Sequence, residues 1–162
     1  MRVLVAGLLC VVGWGGADAG LLAAQGGTPP RPAAQARVRA CGLLSCEEVR
    51  ALAPWSAMLD QIAEEEEAIG TSGSSCNYPS VHVQVLPFSP QTMDVVRQKP
   101  GAEAVGGLGQ SAYLVNNSGE YAEVYVQAGP RLLTVQANVE GDFEATKPRA
   151  IALARALVAR LP

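Results

Sequence analysis

The chain has 162 residues, of which 49% are hydrophobic and 17% charged, and its formal net charge is −3. That apolar content supplies a core and excludes bulk disorder. The Lys and Arg residues are dispersed among a larger number of Asp and Glu residues, which excludes recognition of nucleic acid or anionic lipid by charge.

The chain begins with Met1-Arg2, an apolar run from Val3 to Gly16, and Ala17-Asp18-Ala19. This is the pattern of a secretory signal peptide, residues 1–19, cleaved after Ala19. Asp18 and the glycines Gly13, Gly15, Gly16 and Gly20 argue against the alternative, an uncleaved anchor, because a spanning helix wants roughly 20 mostly apolar residues. Membrane association is expected only if the segment stays uncleaved. Residues 20–39 read as a Pro/Gly/Ala-rich linker carrying Gly26-Gly27, Pro29-Pro30 and Pro32. A single domain is expected over 40–162, in an extracytoplasmic setting, periplasmic or secreted.

Within the domain, Ser45 and Glu48 have the spacing of a capping box, and the helix they open should run from Cys46 to about Ala53, stopped by Pro54. Val49 and Leu52 would face inward. The spacing of Met58, Leu59, Ile62 and Ile69 predicts a second helix over Trp55–Ile69, with Gly70 as its stop. Alternation over Val81–Val85 predicts a strand. Gln91–Gln98 reads as a short helix, and Ala112–Val115 as a strand.

Tyr121–Ala128 and Arg131–Val139 flank Gly129-Pro130, which suits a type II′ hairpin. Pairing Ala128 with Arg131 sets Val126 opposite Leu133, Val124 opposite Val135 and Ala122 opposite Ala137. The other face then receives Tyr125 with Thr134, Glu123 with Gln136, and Tyr121 with Asn138, so turn and pattern agree. The last helix carries an apolar stripe of Ala150, Ile151, Ala154, Leu157, Val158 and Leu161, with Leu153 at its margin, Thr146 as cap and Pro148 in the first turn. Helices before and after a run of strands predict an α+β, two-layer domain: a curved antiparallel sheet packed against N-terminal and C-terminal helices.

The order Cys41-x-Leu43-Leu44-x-x-Glu47-x-Val49, then Cys76-x-Tyr78, then Gly107-Leu108-Gly109-x-x-Ala112-Tyr113, then a hairpin and an alanine-rich final helix resembles a family of small exported bacterial proteins. Many members are lipoproteins, and their function is not established. The resemblance implies a sheet packed on helices, envelope residence and a Cys41–Cys76 disulfide. It supplies no catalytic residues. The chain departs from the family in lacking a lipid-attachment cysteine, in adding Cys46, and in carrying Gln110 where an acidic residue is usual.

Once Cys10 leaves with the signal, three cysteines allow one bridge and one thiol. Cys41–Cys76 leaves the thiol at Cys46; Cys46–Cys76 is the competing pairing. A thiol at a helix start is either a small half-buried hydrophobe or, with its pKa lowered there, a reactive group.

Other motifs reduce to structure. Glu64 to Glu67 would point in different directions on a helix and lack EF-hand spacing, so they make no calcium site. His82, the sole histidine, has no partner at zinc-ligand spacing and no nucleophile to serve. Gly106-Gly107-x-Gly109 lacks the rest of a P-loop or dinucleotide motif and reads as a tight turn, so no nucleotide is expected. Asn116-Asn117-Ser118 matches a glycosylation sequon, a pattern common by chance.

One surface remains. Tyr121, Glu123, Tyr125, Thr134, Gln136 and Asn138 line the outer face of the hairpin, and His82 and Gln84 project from a strand on the same polar face. Tyrosines with amides suit a binding surface for an envelope protein, a peptide or a glycan. The leading expectation is a non-enzymatic binding or interaction module of the cell envelope with no cofactor and no metal. The alternative is an enzyme working through a thiol at Cys46, for which a pocket joining Cys46 to His82 would be the sign.

Overall fold

In the computed structural model, which describes residues 36–53, 65–139 and 141–162, Ser45 and Glu48 form the predicted capping box. Glu48 N–H donates to Ser45 Oγ at 3.3 Å, and Ser45 N–H donates to Glu48 Oε2 at 2.9 Å. This box opens helix α1, Cys46–Leu52. Ala53, the residue before Pro54, leaves the helical region with φ −129° and ψ 68°, as the proline ring requires. The expected signal peptide, linker residues 20–35 and the stretch 54–64 lie outside the described residues.

Among the described residues, seven antiparallel strands follow: β1 Glu65–Ile69, β2 Gly73–Tyr78, β3 Val81–Pro87, β4 Glu103–Ala104, β5 Ser111–Asn117, β6 Tyr121–Ala128 and β7 Arg131–Asn138. They form one open sheet in the order β1-β2-β3-β7-β6-β5-β4. Helix α2, Pro90–Arg97, interrupts the run, and helix α3, Phe143–Val158, closes it. The α+β two-layer architecture is as the sequence predicts.

The hairpin register is also as derived. Ala128 opposes Arg131, Val124 opposes Val135, and Tyr125 opposes Thr134. Gly129 takes φ +59°, the positive value that the first central position of a type II′ turn demands. On the inner face, Cys76, Val83, Val135, Val124 and Leu114 line up across the strands. All are buried in the core, which α3 covers over β5, β6 and β7 and the N-terminal turn Ala40–Gly42 covers over β2 and β3.

The sequence reading does not include the short turn Ala40–Gly42 or strand β4, and it differs from the structure at β1, β2 and α3. The helix expected over Trp55–Ile69 does not extend through its C-terminal end, where Glu65–Ile69 is strand β1, paired with β2 from Glu65↔Asn77 to Ile69↔Gly73. Glu65 and Glu67 therefore share one sheet face, and Glu66 points to the other, where it meets Arg39 at 2.8 Å. Sheet pairing here overrides the helical preference of a glutamate run. Strand β2 carries no alternation, because Ser74 and Ser75 are both buried. The N-terminal arm crosses there, with Ser74 Oγ accepting from Ala40 N–H and donating to the Val38 carbonyl. Finally, α3 starts earlier than expected. Asp142 is its cap, accepting from Glu144 N–H at 3.1 Å. Thr146 is buried inside the helix, Pro148 sits beyond the first turn, and Leu153 is fully buried rather than marginal.

The Gly106–Gly109 segment is the predicted turn into a strand. A Cβ on Gly109 would lie 2.4 Å from the Gln127 carbonyl oxygen, and Gly109 also has φ +61°, so no side chain fits. The sequon asparagine, Asn116, accepts from Gly119 N–H at 2.9 Å in the β5–β6 turn.

Helix α1 is clamped to the end of α3. Arg160 donates to the Leu43 carbonyl at 2.7 Å and to Glu48 Oε2 at 2.9 Å. Hydrogen bonds from the Arg160 guanidinium, then from the Ser45 N–H, hold the Glu48 carboxyl at about 2, against an ordinary 4.5. A depressed carboxylate pKa stabilises the fold above the unfolded value, and that contribution disappears as pH falls through the folded one. Thermal melts should therefore decline between pH 4.5 and about 2, and Arg160→Gln should flatten that acid limb. An acid limb that Arg160→Gln leaves untouched would show that another group sets it.

Candidate functional site

The antiparallel register sorts side chains by face, since directly opposed residues point the same way. One outer row runs Asn77, His82, Gln136, Glu123; the next runs Ser75, Gln84, Thr134, Tyr125, Tyr113. Tyr121 and Asn138 form a third pair. All eight residues expected on the polar face are on it. They do not form one continuous surface.

Helix α2 takes the β5–β6 half. It packs on β5 and β6. Its Met93 and Val96 are buried, as are the outer-face Val115 and Leu132, and all four lie outside the main core. Lys99, just past α2, donates to Tyr125 Oη at 3.0 Å and to Glu123 Oε2 at 3.3 Å. The Tyr125 hydroxyl donates to Glu123 Oε2 at 2.8 Å, and Asn117 Nδ2 donates to Glu123 Oε1 at 3.1 Å. The ammonium also lies 4.9 Å from the Tyr125 ring centroid, within cation–π range. Glu123 is a buried carboxylate with three donors, as a buried charge requires. The Tyr125 hydrogen bond is the main cause raising the Lys99 pKa, and burial is the main cause raising that of Tyr125. Glu123 and Tyr125 thus spend their polar groups on fastening the segment after α2.

The β3–β7 half has a different surface. A shallow depression of about 270 Å³ is lined by Asn77, Ser80, His82, Tyr121, Gln136 and Asn138, among others. Tyr121 and Asn138 also wall an adjoining depression of about 460 Å³ with Gly119, Glu120 and Val139. Four of the eight expected residues meet here, while Gln84 and Thr134 sit half-buried between the two halves. Burial lowers the His82 pKa, opposed in part by a hydrogen bond with Gln136 and by the Glu67 charge. Its imidazole is therefore neutral at pH 7.

Sequence reasoning missed Asn77, Ser80 and Lys99. Asn77 belongs to the strand without alternation. Ser80 is announced by Pro79: a proline followed by a residue with φ 60° makes the β2–β3 turn. Nothing in the sequence around Lys99 signals its reach across the sheet.

Cys41 and Cys76 are joined in a disulfide, and Cys46 stays a half-buried thiol. Cys76 lies on the inner face, and Cys46 packs on the same core. His82 is on the outer face, so the sheet stands between that thiol and the imidazole. The disulfide is compatible with an extracytoplasmic location. Among the described residues, no helix is long and apolar enough to cross a membrane, and no cluster of three or more His, Cys, Asp or Glu groups could hold a metal. No protein-family model, curated protein or solved structure matches the chain.

Proposed function

We propose that the protein is an exported cell-envelope binding module that meets its ligand at the depression on the β3–β7 half of the outer sheet face. The observation that carries this reading is the division of that face. One half is closed by α2 and the Lys99–Glu123–Tyr125 network, and the other presents Tyr121 with Gln136, Asn138, Asn77 and a neutral His82 around an open hollow. A half-buried aromatic with half-buried and exposed amide groups around one hollow suits adaptable recognition. Export is supported by the signal-like residues 1–19, by the disulfide, and by the resemblance to small exported bacterial proteins. The separation of Cys46 from His82 gives the thiol-enzyme alternative no imidazole to work with.

The test uses the full chain expressed in an exporting host and fractionated envelope material. The wild-type protein should be retained by one envelope fraction. Gln136→Lys with Asn138→Trp, which fills the hollow and adds a charge, should abolish retention, while Arg155→Ala on α3 should not. Retention that ignores the outer-face change would overturn the reading.

A further inference from the structure

We infer that the depression is a subsite for an uncharged saccharide, an inference that rests on the outer face being the binding surface. Three features of the hollow select this chemistry. The first is the absence of an available backbone edge. The hollow sits on β3, β7 and β6, and each of these strands has a hydrogen-bonded neighbour on both sides. A peptide cannot add there as a strand, because edge addition needs unpaired backbone groups. Recognition has to come from side chains.

The second feature is charge. Among the described residues, no Lys or Arg lines either depression. Glu65 and Glu67 flank the hollow on the same face, opposite Asn77 and Ser75, and Glu120 borders the adjoining depression. Carboxylates at the rim repel phosphates, nucleic acid and acidic sugars.

The third feature is what the side chains offer. Asn77, Gln136 and Asn138 each carry an amide that both donates and accepts, as does the Tyr121 hydroxyl. Vicinal sugar hydroxyls need that paired capacity. The phenol ring adds an apolar surface for the C–H face of a sugar ring. Tyr121 and Asn138 wall both depressions. Two open subsites sharing one aromatic wall fit consecutive rings of an oligosaccharide better than an enclosed metabolite, whose pockets usually measure about 300–1,000 Å³ and bury most of the ligand.

An array of neutral oligosaccharides built from glucose, mannose, arabinose and N-acetylglucosamine, with sialylated and uronate oligosaccharides as charged controls, tests this on the full exported chain. Binding should fall on neutral probes only. Tyr121→Ala should weaken it at least about tenfold, equivalent to about 1.4 kcal/mol, and Tyr121→Phe should retain most of it, with both variants melting near the wild type. A blank array from protein that still binds envelope through this face overturns the saccharide inference and leaves the module standing. Preference for acidic probes, or neutral binding indifferent to Tyr121→Ala, overturns it equally.

Discussion

Val135→Asp will abolish the cooperative thermal transition of the domain. Val135 sits between Val124 of β6 and Val83 of β3 on the inner face, and all three are fully buried. The nearest ladder neighbours are aliphatic, so a carboxylate there has no ion partner across either strand pair. A carboxyl buried there without a partner costs several kcal/mol, whether it stays charged or takes up a proton, against a total stability of about 5–15 kcal/mol for an ordinary domain. Val135→Ala, which only removes volume, should cost about 2 kcal/mol and still melt cooperatively. Tyr125→Ser probes the other face. From the sequence alone that face reads as surface, where changes cost within about 0.5 kcal/mol. The structure raises the expectation to about 1–2 kcal/mol, because the substitution removes a donor from buried Glu123 and an acceptor from Lys99. Thermal melts of the three variants decide the order. If Tyr125→Ser proves worse than Val135→Asp, the inner and outer faces have been exchanged.

The difference between those two expectations shows where a sequence is legible. Register in the hairpin is a local property: a two-residue turn and a period of two leave one pairing that keeps like with like. Capping at Ser45 is equally local. The inner face is legible because its residues are aliphatic on every strand that alternates. What escapes is whatever a distant segment does to a strand. Ser74 is small and polar where an N-terminal arm crosses β2 and bonds its hydroxyl, and no window around it records that arm. Glu65–Ile69 has a helical composition and becomes a strand because β2 offers it a partner. The candidate surface was legible as a face and illegible as a site, since the reach of Lys99 that divides it comes from a loop outside the sheet.

The same arm carries the second large effect. Cys41 lies in the turn Ala40–Gly42 and is bonded to Cys76, 35 residues away in the sequence. Closing a loop of that length stabilises by about 4 kcal/mol in the chain-entropy account, much of an ordinary domain's margin. Non-covalent contacts hold the arm as well: Ser74 takes both Val38 and Ala40, and buried Arg131 donates to the Ser72 carbonyl at 3.2 Å and to that of Ala36. The double variant Cys41→Ser, Cys76→Ser should therefore fold with its arm docked but melt roughly 15 °C lower. Cys46→Ser should cost less than about 1 kcal/mol, because its sulfur closes no loop. Non-reducing peptide maps of exported protein should link Cys41 to Cys76 and leave Cys46 open to alkylation. Equal losses from the double variant and from Cys46→Ser would mean that Cys46 shares in the bridge and that the pairing is mixed. A reducing compartment removes this stabilisation altogether, so protein held in the cytoplasm should melt like the double variant. An oxidising compartment lets the chain keep the bridge and its full stability, and the disulfide is compatible with an extracytoplasmic location.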